Sequence, residues 1–440
     1  MRVRPRLTAL ALALCALVLT FGTAERADAR ATPSPPELSS ASAAILIDAR
    51  DGSVILGKRP AARRPVASTT KLMTALLTLE RAEPDDVITA PAYDALPVES
   101  KIDLRTGERM RIDDLLEALL LESANDAAVA LAEGVAGSRP AFVAAMNARA
   151  EEIGLEDTSY ANPIGLDDPA NFSSARDLAD LARRLLRKPR FASVVDSPSA
   201  TLESGDRTRV VENRNSLVAG YDFVDGVKTG HTLGAGYVLV GAASGRLGTE
   251  VVSVVLGEPS EAARDADTLA LLRYGLSLFR RVRALDGEEQ LARAAIAHHD
   301  GEVALRAAND LFLVARRGQR VTTEVDAPQE LEGELAAGER VGSVAVLRGG
   351  RVVRRVALVT AAEVPGAGPL RRLSDDFGLT VPALGLLLLL LLGAGGGAAA
   401  LVVRGRRRPP AAASVAAPPV DSESDREARR RARERERQLD

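Results

Sequence analysis

Along the chain, apolar positions first alternate, then recur every three to four residues, then alternate again. Ala44 to Ile47 and Ser53 to Leu56, separated by Asp51-Gly52, read as a β-hairpin. Helical periodicity follows over Ser68 to Arg81, Ile112 to Leu121, Asp126 to Val135, Pro140 to Ile153 and Ala175 to Leu186. Strand patterns return at Ala235 to Ala243 and Thr249 to Leu256, before a helix expected over Asp267 to Val282. Sheet, helices, sheet and helix in that order predict an α+β domain. Beyond residue 286 short strands dominate, at Glu302 to Leu305, Leu311 to Ala315, Val321 to Val325, Val341 to Leu347 and Val352 to Val359, with Gly349-Gly350 as a hairpin turn. They predict a second, small all-β domain.

The two ends follow different rules. Arg2, Arg4 and Arg6, the apolar run Leu7 to Phe21 and Ala27-Asp28-Ala29 form a secretory signal pattern over 1–29, with a proline-rich linker over 30–39. Leu379 to Val403 is 25 residues without a charge, about 37 Å as a helix, enough to cross a bilayer. Arg404, Arg406, Arg407 and Arg408 follow it and place that end in the cytoplasm by the positive-inside rule. The expected order is therefore signal, linker, α+β domain (40–285), β domain (286–366), linker (367–378), single-pass C-terminal transmembrane helix (379–403) and disordered cytoplasmic tail (404–440). The folded part is then expected on the extracytoplasmic side of the cell membrane.

Composition narrows the chemistry. A net charge of −3 with 3% aromatic residues and no Trp argues against nucleic acid as a partner. Cys15, inside the signal, is the one cysteine, and His231, His298 and His299 are the three histidines, so a Cys/His metal site has no ligands to draw on. No metal and no cofactor are expected. Positive charge is carried almost wholly by arginine: Lys58, Lys71, Lys101, Lys188 and Lys228 are the five lysines among 57 basic residues. A buried lysine can lose its proton, whereas arginine cannot. Lys71 follows Ser68 by three positions, on one face of the expected helix, and a hydroxyl becomes a good nucleophile when a neighbouring base takes its proton.

Two further stretches give that pair its context. Ser123-Ala124-Asn125 breaks two apolar helices 55 residues later, and Lys228-Thr229-Gly230 lies a further 105 residues on. The ordered trio S-x-x-K, S-x-N and K-T-G is that of serine β-lactamases and penicillin-binding proteins. Over residues 40 to 365 the sequence resembles the D-alanyl-D-alanine carboxypeptidases, the low-molecular-mass penicillin-binding proteins. Met146 to Ala179, Asn213 to Leu217, Asp225 to Thr232 and Glu330 to Val346 carry the likeness beside the trio.

The resemblance implies a β-lactamase/penicillin-binding-protein-like domain, an antiparallel sheet with a helical subdomain. It implies Ser68 as the acylated nucleophile, Lys71 as its base and Ser123 as the proton relay to the leaving D-alanine. Asn125 would hold the substrate amide, Lys228 would keep the site positive and Thr229 would bind the terminal carboxylate. The backbone N–H groups of Ser68 and His231, beside Gly230, would bind the oxyanion, and Arg264 would be an additional carboxylate partner. Peptidoglycan stem peptides would be the substrates and β-lactams covalent inhibitors. A D,D-endopeptidase, a β-lactamase or an inactive peptidoglycan-binding protein would share this constellation. No glutamate between Asn125 and Lys228 has an asparagine four residues on, as a class A β-lactamase would.

Overall fold

β1 (Ala43–Asp48) is apolar on both faces and every residue of it is buried, the pattern of a strand flanked on both sides and covered above and below. It returns through Gly52, at φ 75°, into β2 (Val54–Lys58). The computed structural model describes residues 33–378 and 380–392. The expected signal segment, residues 379 and 393–403 of the expected span and the expected cytoplasmic tail lie outside the described residues. Residues 33–39 carry neither helix nor strand.

After the hairpin a 3-10 turn, Ala67–Thr70, leads into α1 (Lys71–Arg81). A small ladder of β3 (Val87–Thr89) and β4 (Arg109–Arg111) precedes α2 (Ile112–Glu117), a π turn at Ala118–Glu122 and α3 (Asn125–Ala136). α4 (Arg139–Glu152), α5 (Ala175–Leu185) and α6 (Pro189–Val195) complete the helical subdomain. Ser138 and Ser174 cap α4 and α5, accepting from the N–H groups of Ala141 and Asp177. A second ladder, β5 (Ser199–Leu202) with β6 (Arg209–Glu212), and α7 (Ser216–Gly220) lead back to the sheet.

That sheet closes with β7 (Val224–Thr232), β8 (Gly236–Gly245) and β9 (Thr249–Glu258), followed by α8 (Glu261–Ser277). Its order is β2-β1-β9-β8-β7, antiparallel throughout. Alternation along β8 and β9 sends Val238, Val240, Val252 and Val254 into a core with Leu72, Leu76 and Leu178, and Leu239, Val251 and Val255 into a second core with Leu271 and Leu272. The sheet is thus a buried layer, with the helical subdomain on one face and α8 on the other.

The remaining strands are β10 (Phe279–Leu285), β11 (Gln290–Ile296), β12 (Glu302–Ala307), β13 (Leu311–Arg316), β14 (Val321–Asp326), β15 (Glu330–Leu331), β16 (Arg340–Arg348) and β17 (Arg351–Thr360). β10 pairs with β13, and β14, β16, β17 and β12 lie side by side, with Gly349 and Gly350 both at positive φ in the turn between β16 and β17. Of the described residues, those up to Ala294, with Glu302–Gln329 and Ala336–Glu363, form one compact unit. Ala295–Gly301, Glu330–Leu335 and the described residues from Val364 onward form another, which contains the parallel pairs Ala295 with Glu330 and Ile296 with Leu331.

Three expectations are corrected. The helix expected over Asp267 to Val282 begins at Glu261 and stops at Ser277, because Phe279 to Leu285 pairs with β13 as a strand. Lys228-Thr229-Gly230 lies within β7, although the first returning strand was expected only at Ala235. The expected linker 367–378 contains a helix, α9 (Pro369–Asp376), started by a proline at its first position. A further helix runs over Val381–Leu392, and among the described residues no single helix is long and apolar enough to cross a membrane.

Candidate active site

Ser68 sits on the 3-10 turn, one step before α1. The turn is tight: Ala67 takes φ 47°, and Thr69 donates both its N–H and its hydroxyl to the Val66 carbonyl, at 3.1 and 2.7 Å. Two glycines make room for it. A Cβ on Gly165 would lie 2.0 Å from the Ala67 carbonyl oxygen, and one on Gly230 would lie 2.8 Å from the Ser68 nitrogen. β7 therefore runs directly alongside the Ser68 N–H, a closeness that side chains would prevent.

Lys71 opens α1 with no exposed surface. Its Nζ lies 2.9 Å from Ser68 Oγ, 2.6 Å from Asn125 Oδ1 and 2.7 Å from the Ile164 carbonyl oxygen. Asn125 starts α3, and Ile164 is held by an Asn162 side chain that accepts from the N–H groups of Ile164, Gly165 and Leu166. As an ammonium Nζ donates to all three oxygens; as the neutral amine that its burial favours it donates to two. Its two N–H bonds satisfy the two carbonyl oxygens, which can only accept, and its lone pair is left for the Ser68 hydroxyl proton. Burial pushes the Lys71 amine well below its usual range and the Lys228 ammonium adds to this, while Glu99 and Asp126 pull the other way.

Ser123 terminates the π turn in the left-handed conformation, φ 64°. π turns and left-handed non-glycine residues concentrate where a side chain must be aimed rather than packed. Its hydroxyl is buried and has no hydrogen-bond partner within the protein, an arrangement that costs stability unless a ligand completes it.

Lys228 is buried on β7 and donates to the Thr229 carbonyl at 3.1 Å. Burial depresses its pKa to about 7, helped by the charges of Arg214 and Arg264 and opposed by Glu122. Thr229 is also buried, while the His231 ring is exposed and stacks on Tyr237 at 4.1 Å. Arg264 is buried on α8 and already paired with Asp265 at 2.7 Å and Glu261 at 2.8 Å. Its charge is felt at Lys228, but its guanidinium is not brought to Ser68 by any contact.

Sequence reasoning missed Glu99, Asp126, Arg214 and the Ile164 carbonyl. Glu99 accepts from Asn125 Nδ2 at 2.6 Å, Asp126 accepts from the N–H groups of Ile102 and Leu104, and Arg214 pairs with Glu122 beside Ser123. The signals were faint: Glu99 lies in an aperiodic loop, and a backbone carbonyl has no residue signature. The Asn-Pro-Ile-Gly turn at 162–165 could have suggested an ordered loop.

The D-alanyl-D-alanine carboxypeptidase family pattern matches residues 29–260, and that of the penicillin-binding protein 5 C-terminal domain matches 286–366. The D-alanyl-D-alanine carboxypeptidase DacD of Salmonella typhimurium is 33% identical over 365 residues, covering 78% of this chain and 91% of that protein. Penicillin-binding protein 5 from Haemophilus influenzae superposes with a TM-score of 0.55 at 29% identity, covering 76% of this chain and all of that one. The Streptomyces K15 DD-transpeptidase superposes at 0.53 and 30% identity over 56% of this chain and all of its own.

Proposed function

The chain belongs to the D-alanyl-D-alanine carboxypeptidase family, and on that footing we propose that it removes the terminal D-alanine of peptidoglycan stem peptides through an acyl-enzyme on Ser68. One observation carries this reading: a fully buried Lys71 whose Nζ stands 2.9 Å from Ser68 Oγ, with two carbonyl oxygens occupying its donors. Lys71 takes the hydroxyl proton as Oγ attacks the penultimate D-alanine carbonyl. The backbone N–H groups of Ser68 and His231 hold the oxyanion, supported by the close passage of Gly230 beside the Ser68 nitrogen. Ser123, with its unpartnered hydroxyl, passes a proton to the departing D-alanine amine. Asn125 holds the substrate amide, and Lys228 and Thr229 with the buried Arg264 charge receive its carboxylate. Water then attacks the ester and frees Ser68. A β-lactam enters the same acylation step and remains bound.

The reading is tested by adding a pentapeptide ending in D-Ala-D-Ala to residues 40 to 365 and measuring free D-alanine beside Ser68→Ala. Serine-dependent release is expected; equal release from the variant would refute the nucleophile.

Export and a C-terminal membrane anchor complete the proposal. Export is supported by the signal pattern over 1–29, and the anchor by the apolar run Leu379 to Val403 and by the exposed leucines Leu386 to Leu392 on the helix Val381–Leu392. Full-length protein should fractionate with membranes, and protein ending at residue 378 should not.

A further inference from the structure

The loop between β3 and β4 carries a carboxylate into the site. Glu99 Oε2 accepts from Asn125 Nδ2 at 2.6 Å and from the Tyr93 hydroxyl, and Oε1 accepts from the Leu96 N–H at 3.0 Å. The other end of the same amide, Asn125 Oδ1, accepts from Lys71 Nζ at 2.6 Å. A continuous chain of contacts thus runs from Tyr93 through Glu99, Asn125 and Lys71 to Ser68.

An asparagine amide has a donor end and an acceptor end of nearly the same shape, and a half-turn exchanges them. An ionised carboxylate can only accept, so it selects the NH2 end. In the exchanged orientation Nδ2 would point an N–H at Lys71 Nζ and compete with Ser68 for the one lone pair there. We propose that Glu99 is a positioning residue for acylation: it fixes the Asn125 amide with Oδ1 on Lys71, which keeps the lone pair of Nζ on the Ser68 hydroxyl. The inference deepens the assignment of Lys71 as base and rests on it.

Lys71 is faced by Lys228 from β7, Asp126 from α3 and Glu99 from the loop. Burial pushes the Glu99 carboxyl up, but bonds from Tyr93, Asn125 and the Leu96 N–H bring it below the usual carboxylate range, so it is ionised at neutral pH. Its negative charge favours protonated Lys71. Removing the charge therefore extends the neutral, active form of Lys71 to lower pH.

The test is the second-order rate of Ser68 acylation by a fluorescent penicillin across pH, for wild type, Glu99→Ala and Glu99→Gln, each with a thermal melt. Glu99→Ala should lose about tenfold to a hundredfold on the pH plateau, part of the factor a positioned base supplies. Glu99→Gln offers Nδ2 a carbonyl in only one of its own two amide orientations, so its plateau should fall below wild type as well. In both variants the acid limb should move to lower pH. A wild-type plateau for Glu99→Ala or for Glu99→Gln would overturn the inference, as would an acid limb that stays in place in both variants. Wild type that is folded but not acylated would overturn the base assignment itself, an outcome distinct from either.

Discussion

Replacing Lys71 by arginine puts a permanent positive charge where the proposal needs a neutral amine, and so removes the proposed base. Lys71 has no exposed surface, and its Nζ is enclosed by Ser68 Oγ, Asn125 Oδ1 and the Ile164 carbonyl at 2.6 to 2.9 Å. A guanidinium offers five donors and no acceptor, and it stays protonated in proteins. It would satisfy both carbonyl oxygens and leave the Ser68 proton with nowhere to go. General-base catalysis supplies about 10²- to 10⁴-fold, which is roughly 3–5 kcal/mol of barrier at about 1.4 kcal/mol per tenfold. The larger head must also be fitted into a packed site, at about 1–3 kcal/mol of stability. Lys71→Arg should therefore melt at a lower temperature, remain folded, and be acylated by penicillin about a thousandfold more slowly. Gel or stopped-flow measurement of the second-order rate on protein shown to be folded decides it. A variant within tenfold of wild type would refute the lysine-base reasoning, because a permanently charged group could not have taken the proton.

Two further outcomes follow from the site's electrostatics and its unpartnered hydroxyl. Lys228 is depressed to about 7 when folded, whereas in the unfolded chain it titrates near 10.4. Between those values the unfolded state binds the extra proton, so stability rises with pH, and below about 7 the whole cost of burying the charge is present. Denaturation should show wild type gaining on Lys228→Met by on the order of 4 kcal/mol from pH 7 to 10, while Lys228→Met loses turnover at every pH; parallel stability profiles would contradict the depressed pKa. Ser123→Ala removes a buried hydroxyl that has no partner in the protein, so its melting should change little, by less than about 1 kcal/mol, while D-alanine release falls by about 10². Loss of stability without loss of turnover would show that the hydroxyl serves the fold and not the reaction.

What the sequence disclosed depended on whether a feature had a repeating or local cause. β1, β8 and β9 were legible because apolar residues on both faces admit little else, and α1, α3 and α4 because their periodicity is sustained. β7 was not, since Asp-Gly-Val-Lys-Thr-Gly-His lacks alternation and its glycines read as a turn; it is a strand because β8 pairs with it from Val224 to Thr232. β10 was absorbed into the preceding helix because Leu276 and Phe279 continue an apolar spacing, and pairing with β13 overrides it. At the site, Ser68, Lys71, Ser123, Asn125 and Lys228 each stand in a short motif. Glu99 meets Asn125 across 26 positions through a loop without pattern. The tight turn that holds Ser68 arises from Ala67 at positive φ and from the clearance at Gly165 and Gly230, neither of which is written in local propensity.

Acylation of Ser68 is read without intermediary by peptide mapping by mass spectrometry after brief exposure to penicillin. One penicilloyl group is expected on the peptide carrying Ser68 and none on Ser68→Ala treated alike. An adduct on another residue, or equal labelling of Ser68→Ala, would contradict Ser68 as the nucleophile.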